Sequence, residues 1–279
     1  MVTLEMIKRL REKTGAGMSD CKKALEESSG DMDAAIEYLR KKGAASAAKR
    51  ADRVAKEGVV LAVATPDGRR AAIVEVNCET DFVARNEEFV NFVRAVANAV
   101  LETGTIEGDA LWHYSLGDKT LGNLRDEVLA KFNERIELRR AEFWQTDGVI
   151  GLYNHFGNRL SVLVEFAGNI TPTNPVVNDI AIQIAAMNPQ YVSREDISGE
   201  TLAKELEIGK EQALNEGKKP EIAERIARGR LEKFFQEQCL LEQSFVKGNG
   251  DQTVAAVLHQ LGDSVKVVRF RRYALGESA

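Results

Sequence analysis

From Leu4 to Lys13 apolar side chains return at Leu4, Ile7 and Leu10, while Glu5, Lys8, Arg9 and Glu12 take the other positions. That spacing predicts a short amphipathic helix with one stripe to bury. Gly15 and Gly17 break the pattern, and Ser19 or Asp20 is the expected cap of a second helix carrying Cys21, Ala24 and Leu25. Gly30 suits the left-handed residue that ends such a helix. Asp31 opens a third, with Ala35, Ile36 and Leu39 inward and Gly43 closing it before an Ala-rich helical linker from Ala44 to Lys56. Residues 1–56 thus read as a three-helix bundle with its linker.

Beyond the linker the pattern turns to short apolar runs, and these repeat at an offset of 90 residues. Gly58-Val59-Val60 corresponds to Gly148-Val149-Ile150, Arg69 to Arg159, and Ile73-Val74-Glu75-Val76 to Leu163-Val164-Glu165-Phe166. Each copy reads strand, turn, strand, then a helix with Asn91 or Asn178 near its start; the turns are Pro66-Asp67-Gly68 and His155-Phe156-Gly157-Asn158. Alternating hairpins ended by turn residues predict antiparallel pairing. A third strand per copy is expected at residues 136–143 and 265–270. Residues 200–238 interrupt the second copy with two polar helices, one bearing Leu202, Leu206 and Ala213, the other Ile222, Ile226 and Leu231, joined by Gly217-Lys218-Lys219-Pro220. An antiparallel helical hairpin with one narrow apolar seam is expected. The chain therefore reads as α+β, with core subdomains at 57–146 and 147–279 and the insertion at about 193–240.

Composition narrows the chemistry. In 279 residues, 38 basic and 43 acidic side chains leave −5, unlike the strongly basic footprint of a dedicated nucleic-acid binder. Residues 1–56 carry 13 basic and 9 acidic side chains, a basic head on an acidic body. Cys21, Cys78 and Cys239 are odd in number and far apart, which suggests neither a disulfide framework nor a zinc site, and reduced cytosolic thiols fit best. No apolar run is long enough to cross a membrane, and Met1 to Glu5 opens into an amphipathic pattern rather than a signal peptide, so a cytoplasmic protein is expected.

Few constellations offer catalysis. Gly15-Ala16-Gly17 lacks the second glycine and the Lys-Ser/Thr pair of a phosphate-binding loop, and the glycines serve equally as a sharp turn between helices. His113, His155 and His259 show no metal-ligand spacing. A Cys78 and His155 nucleophilic pair is the one enzymatic alternative, set against a packed thiol and an ordinary turn histidine. The hydrophobic run at Val74 stops abruptly at Cys78-Glu79-Thr80-Asp81-Phe82-Val83-Ala84-Arg85-Asn86. There the bland reading is an Asx turn at Asp81 with Phe82 buried against the following helix. The functional reading makes Phe82 an exposed working tip.

The stretch from Val74 to Asn86, together with Thr14-Gly15-Ala16-Gly17-Met18-Ser19-Asp20-Cys21-Lys22-Lys23-Ala24-Leu25, resembles the elongation factor Ts family, the nucleotide-exchange partners of elongation factor Tu. The resemblance spans essentially the whole chain. It implies a head of the ubiquitin-associated type and a coiled coil projecting from the core. It also implies no bond chemistry and no cofactor or metal. Instead Thr80, Asp81, Phe82 and Val83 would displace the elements of elongation factor Tu that hold Mg²⁺ and phosphate, releasing GDP and stabilising the nucleotide-free state until GTP binds. Met18, with Leu10 and Lys23 as weaker candidates, would dock on the G domain. Tyr153-Asn154-His155 matches the family's tyrosine-x-histidine motif, whose histidine faces a distal domain, and Ser244-Phe245-Val246-Lys247 stands where the family has another contact loop, through Phe245 and Val246. Pairing of two chains through the helical hairpin is a further expectation, with no membrane or direct nucleic-acid contact. Many relatives continue into a C-terminal helical module, whereas six residues follow Tyr273 here, so that contact is expected to be absent. The rival readings are a binding adaptor without exchange activity and an enzyme using Cys78 or His155.

Overall fold

A computed structural model describes residues 2–14, 16–49, 53–248 and 250–277, with side chains of 43–49 left undescribed. Gly15 and part of the expected linker, at 50–52, lie outside the described residues. The head consists of α1 (Leu4–Thr14), α2 (Met18–Glu27) and α3 (Met32–Lys49). Its core is Ile7, Leu10, Cys21, Ala24, Leu25, Ala35 and Leu39, all anticipated from spacing, together with Ala16, which was not, while the expected Ile36 is only partly buried against it. Leu4, also expected inward, lies in the first turn of α1 with 61 % of its surface in solvent.

Two helix ends differ from expectation. The N-cap of α2 is Gly17, without a side-chain cap. Ser19 and Asp20 fall inside the first turn, where the Asp20 carboxylate accepts a 2.6 Å hydrogen bond from Lys42. Helix α3 does not stop at Gly43 but continues to Lys49. The alanines that follow are the best helix formers, and together they outweigh the roughly 1 kcal/mol that one interior glycine costs. At the other end Asp31 accepts from Ala34 N–H at 2.8 Å, as anticipated.

The first core copy comprises β1 (Glu57–Ala64), β2 (Arg70–Cys78), α4 (Asp81–Ala84), α5 (Glu87–Thr103), α6 (Asp109–Trp112), α7 (Leu121–Phe132) and β3 (Glu137–Gln145). The second comprises β4 (Val149–Asn154), β5 (Leu160–Ala167), α8 (Pro175–Met187), α9 (Gly199–Asn215), α10 (Pro220–Gln238), α11 (Val254–His259) and β6 (Lys266–Ala274), with single 3-10 turns at Arg194–Asp196 and Leu240–Glu242. Each sheet is antiparallel, in the orders β1-β2-β3 and β4-β5-β6. The third strands run to Gln145 and Ala274, longer than expected. Asn91 and Asn178 lie near the starts of α5 and α8, as expected, and the caps are Asn86 and Asn174, each accepting from the N–H two residues on.

The duplication extends to fine detail. The β2–β3 ladder slips at Glu75/Val76 and the β5–β6 ladder at Glu165/Phe166, corresponding positions of the two copies. At each bulge the glutamate meets an arginine of the third strand: Arg140 donates to Glu75 at 2.6 Å and Arg269 to Glu165 at 2.7 Å.

The central strands β2 and β5 are buried on both faces. Val59, Leu61, Ala72, Val74 and Val76 join α5 in one core, whereas the intervening Val60, Ala62, Ala71 and Ile73, with Trp144 of β3, pack with Ile150, Leu163 and Tyr273 of the facing sheet. Residues of opposite parity thus serve two cores, which is why the runs are continuously apolar rather than alternating. The joint has a local two-fold character. Val60 N–H donates to Asn158 C=O at 2.7 Å, and its counterpart Ile150 N–H donates to Gly68 C=O at 2.8 Å. Arg140 lies 4.0 Å over Tyr273, and Arg269 lies 4.2 Å over Trp144.

In the hairpin, α9 and α10 approach through Gly209, Ala213, Ala223 and Ala227. Of the expected seam residues Ala213 is buried, Leu202, Leu206, Ile226 and Leu231 are half-buried and Ile222 is exposed, so small residues form the tightest part of the seam. The head packs through α3 on α7, a helix the sequence pattern did not single out, with Arg40 and Glu127 3.7 Å apart at the joint.

Candidate partner-binding site

Strand β2 ends with Val74, Val76 and Cys78 turned into the helix-side core. The chain then makes one helical turn. Thr80 caps α4, its Oγ1 accepting from Val83 N–H at 3.4 Å. Val83 and Ala84 drop into the core, which leaves the side chain between Asp81 and Val83 to point away. Phe82 has 83 % of its surface in solvent, so the reading that buries it in its own subunit is wrong. The expected Asx turn is replaced by the Thr80 cap, and Asp81 instead pairs with Arg85 one turn on, at 3.2 Å.

The turn is anchored on both sides. Below it, the Cys78 Sγ–H donates to Thr80 C=O at 3.2 Å. Burial pushes the Cys78 thiol up to about 12, with Glu134 adding to the shift, so the sulfur stays protonated. From the opposite loop, the Glu134 carboxylate accepts the N–H groups of Glu79 at 2.9 Å and Thr80 at 3.1 Å, and the Thr80 hydroxyl at 2.6 Å. Glu79 returns the contact, accepting Arg135 N–H at 2.6 Å and Arg53 Nη1 at 3.3 Å.

The other anticipated residues fall in three further places. In the head, Met18 is half-buried at the start of α2, Lys23 is exposed, and Leu10 is fully buried, where it holds the bundle together. Of the Gly15-Ala16-Gly17 turn, Ala16 is buried and its carbonyl accepts the Cys21 thiol at 3.5 Å. At the second copy's hairpin tip, the Tyr153 hydroxyl lies 2.9 Å from His155 Nδ1. His155 is exposed and Cys78 is fully buried with its thiol spent on Thr80, which removes the basis for a nucleophilic pair. In the Ser244–Lys247 loop, Phe245 packs into the second core while Val246 is 41 % exposed. Buried Gln183 shapes that loop, accepting from Val246 N–H at 2.8 Å and donating to Ser244 C=O at 3.1 Å.

The tip and the Phe82 turn leave from the same end of the first sheet. Arg159 Nη1 reaches Glu57 at 2.6 Å, and Glu57 stands opposite Cys78 in the ladder. Phe156, beside His155, is 96 % exposed, the most open large apolar residue of the described chain. Sequence reading passed it over as a turn residue; its signal is an aromatic where a tight hairpin ordinarily carries a small or polar side chain. Among the described residues no group of three or more His, Cys, Asp or Glu could hold a metal ion, and no helix is long and apolar enough to cross a membrane.

The sequence pattern of the family described as Elongation factor TS matches residues 79–277, from the anchored turn to the end of the described chain. The protein is 44 % identical to Elongation factor Ts of Halothermothrix orenii over 281 residues, covering 99 % of this chain and 93 % of the relative. It is 45 % identical to that of Symbiobacterium thermophilum over 289 residues, covering 99 % and 92 %. It is 44 % identical to that of Chlorobium luteolum over 286 residues, covering 99 % of both. With near-complete coverage at this identity, the chain belongs to the elongation factor Ts family, the nucleotide-exchange factors of translation elongation.

Proposed function

We propose that the chain binds elongation factor Tu and drives GDP from it by inserting Phe82 into the G domain, against the elements that hold Mg²⁺ and the phosphates. The observation that carries this reading is a phenyl ring 83 % exposed on a turn whose neighbours are buried or hydrogen-bonded. Such a group gains by entering a partner, and it is held rigidly enough to push. Loss of a divalent cation removes the largest local counter-charge to the phosphates, so a small intrusion loosens GDP strongly.

Magnitude shows that Phe82 does not act alone. Burying a phenylalanine contributes roughly 1.5–3 kcal/mol, whereas a ten-thousandfold population shift takes about 5.5 kcal/mol of differential binding. The remainder falls to the head near Met18 and Lys23 and to the second copy near His155, Phe156 and Val246. Phe245 and Leu10 then support docking surfaces from beneath. Nothing in this scheme needs a bond made or broken.

Exchange is a linkage between two ligands of one protein, so each weakens the other by the same factor. Titration of elongation factor Tu with the chain, with and without saturating GDP, is expected to give a weaker complex when GDP is bound. The GDP affinity should fall by an equal factor in the converse titration. Equal affinities in both states would reject exchange activity and favour a simple adaptor.

A further inference from the structure

We infer that Glu134 is a positioning residue for exchange, whose carboxylate fixes the direction in which Phe82 leaves the core. The inference rests on the reading of Phe82 as the intruding group. A single helical turn such as α4 has no stability of its own, because nucleation costs more than its one or two hydrogen bonds return. Its direction must come from its attachments. Val83 and Ala84 fix the C-terminal half by burial. At the N-terminal half the donors of Glu79 and Thr80 have no helical acceptor, and both go to Glu134 Oε2. The Thr80 hydroxyl donates to Glu134 Oε1, which aims its remaining lone pairs at Val83 N–H and so sets the cap.

Glu134 itself is well placed to act as a fixed point. It follows Asn133, whose left-handed φ of 55° turns the chain sharply off the end of α7. Arg135 N–H reaches back to Glu79, so the two loops exchange carboxylates and neither slides without breaking both contacts. Helix α7 also carries the head. The same element thereby connects a proposed docking surface with the base of the intruding turn.

The test is release of fluorescently labelled GDP from elongation factor Tu, measured over a range of concentrations of full-length variants. Glu134→Ala should lower the maximal rate about tenfold, the loss of roughly one well-placed charged hydrogen bond, with the half-saturating concentration changed less than about twofold. Glu134→Gln should keep most of the rate, since its carbonyl oxygen accepts the two N–H groups and its amide donates to the Thr80 hydroxyl. In the Phe82→Ala background, Glu134→Ala should add no further loss, because there is no ring left to aim. Thr80→Ala, which removes the hydroxyl's contacts with Glu134 and with Val83 N–H but keeps both backbone donors on Glu134, should show a smaller loss of the same kind and serves if Glu134→Ala proves poorly folded. A parental maximal rate for Glu134→Ala, a full further loss in the Phe82→Ala background, or a Gln variant as slow as the Ala variant would overturn the inference. If Phe82→Ala is itself slow while Glu134→Ala is normal, only the positioning role fails. If Phe82→Ala exchanges at the parental rate, the reading of Phe82 fails and this inference with it.

Discussion

Phe82 is exposed because its neighbours are not free to be otherwise. Thr80 must cap, Val83 must fill the core and Asp81 faces Arg85, which leaves one outward direction. Sequence alone did not decide this, since one turn is too short for periodicity to tell inside from outside, and a lone aromatic reads as core. The motif pointed to the place; its geometry came from the contacts. The cysteines show the same limit: all three are free and buried, which spacing could suggest but not demonstrate. A thiol-blocking reagent at neutral pH is expected to leave them largely unmodified in the folded chain and to label all three after denaturation. Because folding raises the Cys78 pKa from 9.0 to about 12, the folded state holds that proton more tightly. Its contribution to stability is complete below about pH 9 and is lost as pH rises toward about 12. The alkaline decline of the melting temperature should therefore be shallower in Cys78→Ala, whatever that change does at neutral pH.

At the level of elements, the periodic segments were the legible ones. The three head helices and both strand hairpins follow from apolar spacing and turn residues, and a third strand is expected for each copy. Helices α6 and α7 escaped notice because residues 105–132 mix half-buried apolar and charged positions, so the stripe is broken even though Leu111, Leu121, Val128 and Leu129 are buried. The helical hairpin is legible in the sequence but its seam only in part, since hydrophobicity draws attention to Ile222 beside Ala213 rather than to Gly209, Ala223 and Ala227. At Gly209 an added Cβ would stand 3.3 Å from Ala227 Cα. Gly209→Val is expected to destabilise the hairpin by about 1–3 kcal/mol through overpacking. Hydrogen exchange should then quicken in α9 and α10 while the strands keep their protection.

For the whole molecule the decisive feature is two copies closed face to face. Asn154 spans the joint, its side chain accepting from Ala62 N–H at 2.8 Å and donating to Ala62 C=O at 2.9 Å. The repeat was visible in sequence, but which faces meet was not, because residues of both parities are apolar. Asn154→Leu leaves two backbone groups of the joint unpaired at an estimated cost of about 1–3 kcal/mol each. Its calorimetric transition should move down by several degrees and stay single, whereas separate melting of the two halves would mean that the joint does not couple them. The closed joint also gives the Phe82 turn and the His155–Phe156 tip fixed positions at one end of the first sheet. Phe156→Gly is accordingly expected to raise the concentration of chain needed for half-maximal exchange several-fold with little change in the maximal rate. That pattern is the signature of lost docking contact, read from rates over a concentration series.

The central claim is that an exposed ring performs the displacement. It is tested most directly by the rate of labelled GDP release from elongation factor Tu at saturating Phe82→Ala. Substitution of so exposed a side chain should leave the melting temperature nearly unchanged, while the stimulated rate is expected to fall by one to two decades, about what the burial of one phenyl ring can supply. A folded, saturating variant that releases GDP as fast as the parent would contradict the account.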